Sequence, residues 1–319
     1  MANKQQIYLE LSPGVKIPAL GLGTWQALDD DGEKAIDCAL EAGYRHIDTA
    51  YVYQNEKAVG NIIKKWLESG RIKREDLFVV TKLPKHGNRP SGVPKYLQES
   101  LDSLGLSYVD LYLIHSPFGF QDKNPSDPNS EEIVDVTTDH IAIWKAMEDQ
   151  VINGKARAIG LSNFNERQIE RVWSTAERIK PSMLQVELHL YFQQKELVEF
   201  CNSKNIKVCA YSPLGSPSSS KVLGKEVPDI LNNETVTDIA KKYGKTTAQI
   251  LLRHIIQQGI AAIPKSSNPK RIKENMEIFD FELSSEDINK LNALDQGKDG
   301  RLFDFSIFKG ATTHPEYPF

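Results

Sequence analysis

The sequence has few cysteines and no long apolar run. Its three cysteines, Cys38, Cys201 and Cys209, are an odd number at spacings that fit no zinc site. We therefore interpret them as free thiols in a reducing compartment. No apolar run reaches the roughly 18 residues that a membrane-spanning helix needs, and the first residues lack the apolar stretch of a signal peptide. These absences predict a cytoplasmic protein with no membrane partner.

An excess of charge of one sign is also absent. The 319-residue chain has a formal net charge of −4, so it has no domain-wide basic surface of the kind that binds nucleic acid. Gly21-Leu22-Gly23 lacks the third glycine of a Rossmann fingerprint, and the chain contains no P-loop and no His-Glu-x-x-His motif. We therefore expect neither a nucleic-acid partner nor a metal site. No break in composition divides the chain, which predicts a single domain over residues 1–319.

Short apolar runs alternate with amphipathic stretches at a period of roughly 30 to 40 residues, which is typical of strands alternating with helices. The predicted strands are Ala19–Gly23, Tyr44–Asp48, Leu77–Thr81, Val109–Ile114, Ala156–Leu161, Met183–Val186, Ile206–Ala210 and Ile260–Pro264. The predicted helices are Gly32–Ala42, Glu56–Glu68, Pro94–Leu104, Thr138–Asn153, Glu166–Glu177, Lys195–Lys204 and Thr246–Gln257. Eight such strands predict an α/β fold, a (β/α)8 TIM barrel.

Four further segments stand outside this alternation. Two short strands around Ser12-Pro13-Gly14 predict an N-terminal β-hairpin. Phe118–Asp135 and Gly215–Pro228 follow barrel strands and are longer than ordinary loops, and Leu302–Phe319 is an aromatic C-terminal tail. Long segments of this kind in a compact domain are usually functional loops. We expect the two long loops and the C-terminal tail to shape a substrate pocket.

Four side chains with catalytic chemistry follow successive strands: Asp48, Tyr53, Lys82 and His115. Taken singly, each has an ordinary explanation: a helix cap, a packing aromatic, a solvated lysine and a hydrogen-bonded core histidine. Together they occupy the carboxyl ends of predicted barrel strands, where barrel enzymes place their catalytic groups. The combination therefore predicts an active site.

These residue types suit carbonyl reduction, which needs a hydride and then a proton on the developing alkoxide. Tyr53 can donate that proton if its anion is stabilised, because tyrosine has an ordinary pKa near 10. The Lys82 ammonium would stabilise the anion, and Asp48 would supply the opposing charge. The His115 imidazole could orient the carbonyl oxygen or share in proton relay.

The later strands offer places for a hydride donor. Ser162-Asn163 and Gln185 have hydroxyl and amide groups that suit a carboxamide, and the face of Tyr211 suits a nicotinamide ring. Lys265, Ser266 and Arg271 at a predicted helix N-terminus suit a phosphate. The alternative for this last group is a solvated basic turn.

At these residues the chain resembles the aldo-keto reductase family, in particular aldose- and aldehyde-reductase-like members. The resemblance extends over nearly the whole length. Its motifs are Gly43–Ala50 followed by Tyr53, then Leu111–His115, Ile159–Phe164, Tyr211–Gly215 and Lys265–Asn275.

The resemblance implies a monomeric reductase that uses NADPH/NADP+ and a small-molecule carbonyl substrate, with Tyr53 as general acid beside Asp48, Lys82 and His115. It implies cofactor-binding roles for Thr24, Trp25, Ser162, Asn163, Gln185, Tyr211, Ser212, Leu214, Ser216, Lys265, Ser266, Ser267, Arg271, Glu274 and Asn275. It implies substrate-binding roles for Trp25, Tyr51, His115 and Phe118.

The chain also departs from the family pattern. Aldose-reductase-like members commonly have tryptophan at the positions of Ser116 and Pro84, and loss of an indole should widen or reshape the pocket. The strap residues Ser216–Ser220 lack the acid that clamps the strap in many relatives, which puts in question how tightly the lid closes and whether cofactor release limits turnover. A general likeness to insect members, of the 3-dehydroecdysone reductase type, suggests a ketosteroid or ecdysteroid ketone as substrate.

Two other functions remain open from the sequence. One is an NADPH-binding regulatory or structural protein of the same fold, against which the intact set of four catalytic residues argues. The other is a metal- or phosphate-dependent barrel lyase or hydrolase. His46 and Asp48 share a strand face, but a third ligand is not evident.

Overall fold

The computed structural model describes residues 6–12, 14–27, 29–121, 132–224 and 226–319. Strands β1 to β12 are, in chain order, Tyr8–Ser12, Val15–Pro18, Leu22–Gly23, His46–Asp48, Phe78–Leu83, Val109–Ile114, Gly119–Phe120, Val134–Asp135, Ala156–Ser162, Met183–Glu187, Lys207–Tyr211 and Ala261–Ala262. Helices α1 to α11 are Asp29–Glu41, Glu56–Glu68, Gly92–Leu104, His140–Ile152, Glu166–Thr175, Lys195–Ser203, Ser220–Leu223, Glu234–Tyr243, Thr247–Gln257, Pro269–Met276 and Ser285–Asn292. This alternation confirms the predicted α/β class.

The chain forms two compact units, each made of two segments that are distant in sequence. The first unit contains Met1–Asp48 and Val186–Phe303, and the second contains Thr49–Gln185 and Asp304–Phe319. The single domain over residues 1–319 stays a prediction. Among the described residues, no helix is both long enough and apolar enough to cross a membrane.

In the first unit, β1 and β2 pair antiparallel, with Leu9 opposite Ile17, which confirms the predicted hairpin. β3 pairs parallel with β4, and β11 pairs parallel with β12. A bridge between Leu20 and Ala262 joins these two strand pairs. Helices α8, α9 and α11 contribute buried apolar side chains to one core cluster.

In the second unit, β5, β6 and β9 pair parallel in that order, and β9 also pairs with β10. Every residue of β5 and β6 is buried. Strands buried on both faces are typical of parallel sheets covered by helices, and helices α2 to α5 belong to the same unit. β7 and β8 form a separate antiparallel pair.

Several predicted bounds differ from the structure by a few residues, and two differences bear on the residues assigned to the site. Lys82 was predicted to follow a strand that ends at Thr81, but β5 continues to Leu83, so Lys82 lies inside the strand. The strand ends at Leu83 because the next residue, Pro84, has no N–H to donate to a ladder. Gly215–Pro228 was predicted as a loop but contains a 3₁₀ turn and the one-turn helix α7. The central part of the other long loop, 122–131, lies outside the described residues.

Helices α8 and α11 were not predicted, although the sequence contains their N-cap residues. The Asn233 side chain accepts a hydrogen bond from the Val236 N–H, and the Ser284 hydroxyl oxygen accepts one from the Asp287 N–H. Asparagine and serine at this position satisfy N–H groups that the first helical turn leaves open.

Candidate active site

Lys82 is a lysine with no solvent exposure, at 0%. Its Nζ atom donates a hydrogen bond to the Thr49 carbonyl oxygen at 2.8 Å and lies 3.5 Å from the Tyr53 hydroxyl. The same atom lies 4.9 Å from the centre of the Tyr53 ring. An ammonium removed from water requires such polar partners. The arrangement places a positive charge beside the phenol.

Tyr53 ends a three-residue 3₁₀ helix, Tyr51–Tyr53, rather than a regular strand or α-helix. The Tyr53 N–H donates to the Ala50 carbonyl at 2.9 Å, and the next residue, Gln54, has a left-handed backbone with φ of 55°. The phenol is half-buried. A nearby ammonium favours the ionised form of such a phenol, so this geometry suits a proton donor.

His115 directly follows β6 and lies against Tyr53, with ring centres 5.7 Å apart at an angle of 76°. Enclosure by protein, and secondarily the charge of Lys82, hold the pKa of His115 well below its ordinary value. The imidazole is therefore neutral near pH 7. A neutral imidazole has one N–H, which can donate to a carbonyl oxygen.

The three residues assigned to a carboxamide lie together in the second unit. Ser162 pairs with Gln185 across neighbouring strands, and the Asn163 N–H donates to the Gln185 carbonyl at 3.0 Å. The Asn163 side-chain amide donates to the Ser162 hydroxyl oxygen at 3.1 Å and to the His115 carbonyl at 2.9 Å. Asn163 has a left-handed φ of 64°, which asparagine tolerates better than most residues. The Asn163 side-chain amide is thus hydrogen-bonded to the backbone of His115.

Asp48 belongs to the first unit and ends β4, where it is 1% exposed. Its carbonyl oxygen accepts from both the N–H and the hydroxyl of Thr24, at 3.0 Å and 2.9 Å. Gly23 pairs with Asp48, and a Cβ atom at Gly23 would lie 2.7 Å from the Ile263 carbonyl oxygen. The G-x-G sequence therefore reflects close backbone packing.

Trp25 and Tyr211 share a neighbour in the first unit. Both rings meet Phe303 edge to face, each with ring centres 5.8 Å apart. Such contacts fix the orientation of aromatic rings. From the sequence, Phe303 was assigned only to the C-terminal tail, and no sequence feature indicated its contacts with Trp25 and Tyr211.

The segment from Ser212 to Ser220, which follows β11 and includes the strap Ser216–Ser220, has an unusual backbone. Ser212 and Ser216 have left-handed φ values of 51° and 47°, and the Gly215 N–H donates to the Ser212 carbonyl at 2.9 Å. The hydroxyl of Ser216 is hydrogen-bonded to that of buried Ser219, and Leu214 is half-buried. The strap is thus a folded turn.

Helix α10 begins at Pro269, and Asn268 caps it by accepting from the N–H groups of Lys270 and Arg271 at 2.9 Å and 3.2 Å. Because this cap uses the open N–H groups, a phosphate here would be bound mainly by side chains. Lys265 and Arg271 are exposed. The remaining assigned residues comprise half-buried Ser266 and Glu274, exposed Ser267 and buried Asn275.

On the substrate side, Tyr51 packs against Tyr96 with ring centres 4.9 Å apart. Burial and a hydrogen bond with Glu99 raise the pKa of Tyr51 to about 12. Because Glu99 lies on α3, this hydrogen bond directs the Tyr51 hydroxyl to that helix. Phe118 is 1% exposed and meets Phe305 of the tail at 5.3 Å.

Ser116, one of the two departures from the family pattern, is also buried, and its hydroxyl donates to the Phe118 carbonyl at 3.1 Å. Asn88 donates its side-chain amide to the carbonyls of both Ser116 and Phe118, at 2.7 Å and 2.9 Å. The loop after β6 is thus bound to the segment that follows β5.

The metal-dependent alternative gains no support from the structure. His46 Nδ1 lies 3.0 Å from the Pro18 carbonyl oxygen, and the absence of a side chain at Gly21 leaves room for the imidazole. Across the described residues, no group of three or more His, Cys, Asp or Glu side chains is arranged to hold a metal ion.

Comparison with known proteins agrees with this geometry. The model of the Aldo/keto reductase family matches residues 19–296. The chain belongs to the aldo/keto reductase family. It is 42% identical to aldo-keto reductase family 1 member A1-A of Danio rerio, over 98% of both chains. It is also 42% identical to estradiol 17 beta-dehydrogenase 5 of Mus musculus, over 100% of this chain and 99% of the mouse protein.

The structure of the aldose reductase from Schistosoma japonicum superposes with a TM-score of 0.86 at 40% identity, covering 96% of each chain. The fold is therefore the (β/α)8 barrel predicted from the sequence. As a member of the aldo/keto reductase family, the chain is an NADP-dependent oxidoreductase that acts on carbonyl or alcohol groups, with NADPH/NADP+ as cofactor.

The residues present fit this cofactor. Ser162, Asn163 and Gln185 offer an adjacent hydroxyl and two amides, which match the donors and acceptor of a carboxamide. Lys265 and Arg271 offer exposed cations for a 2′-phosphate. When bound, NADPH would supply the hydride for carbonyl reduction.

Proposed function

We propose that this aldo/keto reductase is an NADPH-dependent reductase of aldehydes and ketones in which Tyr53 donates the proton. The observation that supports this most strongly is the buried Lys82 ammonium, 3.5 Å from the Tyr53 hydroxyl. A charge so placed stabilises the phenolate that remains after proton transfer.

In the proposed reaction, each residue of the second unit has one task. The neutral His115 imidazole donates a hydrogen bond to the carbonyl oxygen and orients it. Tyr53 Oη gives its proton to the same oxygen as negative charge develops there. Lys82 stays charged throughout, bonded to the Thr49 carbonyl. We assign Asp48 as the carboxylate of this catalytic set.

For the cofactor, we assign the carboxamide to Ser162, Asn163 and Gln185, and the nicotinamide face to Tyr211. The 2′-phosphate is assigned to Lys265, Ser266 and Arg271, whose exposed cations support this role. The other assigned cofactor residues, given in the sequence analysis, keep their proposed roles.

For the substrate, we propose a bulky apolar ketone, with a ketosteroid or an ecdysteroid ketone as the specific candidate. Phe118 and Phe305 form an aromatic surface in the second unit, and one relative is named as an estradiol dehydrogenase. We retain Trp25, Tyr51 and His115 as the other substrate residues. A screen of small aldehydes, sugars and steroid ketones with NADPH would rank these classes.

We further propose that the protein is a cytoplasmic monomer that binds no nucleic acid, in keeping with its net charge of −4. Light scattering coupled to size-exclusion chromatography would give the mass in solution. A measured mass near twice that of one chain would overturn the monomer assignment.

The central test is NADPH oxidation with a reactive aromatic aldehyde, for the wild type and Tyr53→Phe. We expect Tyr53→Phe to lose most of its turnover, while NADPH affinity measured by fluorescence stays nearly unchanged. Wild-type turnover in Tyr53→Phe would assign the proton to another group. Tight NADPH binding with no turnover by the wild type would favour the regulatory or structural alternative.

A further inference from the structure

The segment that carries Tyr53 runs from Thr49 to Glu56, where helix α2 begins. It contains the 3₁₀ helix Tyr51–Tyr53 and the left-handed residue Gln54. We propose that two threonine hydroxyls, those of Thr49 and Thr81, are positioning groups that fix this segment. The inference rests on the proposed role of Tyr53 as proton donor.

The first hydrogen bond closes the segment on itself. The Thr49 hydroxyl donates to the Asn55 side-chain oxygen at 2.8 Å, and the two residues flank the 3₁₀ helix that carries Tyr53. Thr49 is 0% exposed and Asn55 is 3% exposed, so water does not replace this bond readily. The Thr49 carbonyl also accepts from Lys82. One residue therefore contacts both the lysine and the far end of the tyrosine segment.

The second hydrogen bond joins the end of the segment to strand β5. The Thr81 hydroxyl donates to Glu56 Oε1 at 2.6 Å, and Glu56 begins α2. Thr81 directly precedes Lys82, so the two side chains leave the strand on opposite faces. The Lys82 side chain bonds to the start of the segment, at Thr49, while Thr81 bonds to its end. The segment is thus attached to both faces of one strand.

The Glu56 carboxyl needs the hydrogen bond from Thr81 because it is removed from water. Glu56 is 4% exposed. Burial raises its pKa, and the Thr81 hydrogen bond and the charge of Lys82 act in the opposite direction. Without the hydroxyl, the buried carboxyl would lose a hydrogen bond that water does not restore. We expect the start of α2, and with it Tyr53, to shift in response. A misplacement of about 1 Å can lower a catalytic rate by about 100-fold.

The test uses matched pairs, Thr49→Val with Thr49→Ser and Thr81→Val with Thr81→Ser, in the NADPH-dependent reduction of an aromatic aldehyde. Each valine variant keeps the side-chain shape but loses the hydroxyl. We expect kcat to fall about 10-fold or more, with KM and the Kd for NADPH within about twofold of wild type. Each serine variant should recover at least half of the wild-type kcat, because it keeps the donor.

Thr175→Val is the control, since the Thr175 hydroxyl donates within its own helix, to the Arg171 carbonyl at 2.6 Å. Near-ultraviolet circular dichroism establishes that each assayed variant is folded. Thr49 and Thr81 bond to different partners, so either pair tests the inference if a variant of the other fails to fold.

Folded valine variants with wild-type kcat would overturn the inference, as would serine variants that recover nothing. A loss confined to KM would also overturn it, because it would indicate a binding role. Full turnover by Tyr53→Phe in the same assay would instead reject the proposed proton donor, so the two failures are distinguishable.

Discussion

Arg171 donates a hydrogen bond to Glu316 at 2.6 Å and so ties the C-terminal tail to helix α5 within the second unit. Gln168 on the same helix donates to the Glu316 carbonyl at 2.8 Å, and Asn165 donates to the Pro318 carbonyl at 3.1 Å. The tail is therefore bound by polar contacts as well as by its aromatic side chains, as its contact between Phe305 and Phe118 shows.

The first prediction concerns this attachment. Glu316→Ala should lower the free energy of unfolding by about 1–2 kcal/mol, because it removes the carboxylate that accepts from Arg171 at 2.6 Å and from Gln168 at 3.2 Å. The bond from Gln168 to the Glu316 main-chain carbonyl remains. Glu316→Ala should also raise KM for a bulky ketone, since Phe305 belongs to the same tail. Urea unfolding and steady-state kinetics measure the two effects.

The control is Glu286→Ala, which breaks an exposed i,i+4 pair with Lys290 at 2.7 Å. Exposed pairs contribute about 0.2–1 kcal/mol at most, so this variant should change little. Equal losses in the two variants would contradict a special role for Glu316.

The second prediction concerns cofactor choice. Arg271→Ala should weaken NADPH binding by about 10- to 100-fold, as expected for loss of a charge-assisted hydrogen bond, and should leave NADH binding nearly unchanged. Fluorescence titration with both cofactors measures the ratio. Lys273→Ala, an exposed cation on the same helix, is the matched control. If Arg271→Ala weakens both cofactors alike, Arg271 does not contact the 2′-phosphate.

The third prediction concerns pH. Burial holds the pKa values of His115, His140 and His254 below the ordinary value. Below about pH 6.5 the unfolded chain therefore binds protons that the folded protein does not, and stability falls as pH falls. Each histidine should lower the free energy of unfolding by up to about 1.4 kcal/mol at pH 5.5 relative to pH 7.5.

Urea unfolding at both pH values measures this loss, and His254→Gln should reduce it by the contribution of that one histidine. Asp287 does not contribute to the difference between these two pH values. Its pKa is lowered to about 2, so the stability that its ionised form provides is lost only in more acidic solution. An unchanged pH dependence in folded His254→Gln would contradict neutral burial of this histidine, because the comparison leaves the contribution of Glu56, whose pKa is raised, the same in both proteins.

The fourth prediction concerns the packing of His46. Gly21→Ala should destabilise the protein by about 1–3 kcal/mol, because the added methyl group would overlap the imidazole. In a double-mutant cycle, His46→Ala should relieve part of this cost. Strict additivity of the two substitutions would show that the ring does not limit the space at Gly21.

Regular elements were predicted well where the signals are local. The bounds of α2, Glu56–Glu68, and of β6, Val109–Ile114, match the prediction at both ends. Gly105, which directly follows the predicted helix Pro94–Leu104, adopts a left-handed φ of 65° at the end of α3. A helical or strand pattern and a glycine stop need only neighbouring residues, so they can be read from the chain.

The catalytic roles assigned from the sequence stay predictions, but the structure shows which of the assigned residues lie together. Tyr53 lies beside both Lys82 and His115. The sequence did not indicate that Lys82 lies inside a strand, nor that Thr49 holds its ammonium. These features depend on contacts across 33 residues of chain, for which no local pattern exists.

By itself, the sequence determined the alternation of strands and helices and the set of groups suited to carbonyl reduction, because periodicity, turn residues and chemical type are properties of the chain. Only the tertiary structure decided which buried groups share a hydrogen bond, as with Thr81 and Glu56 or Arg171 and Glu316. The physical reason is that a polar group removed from water must find a partner, and folding decides which partner lies within reach.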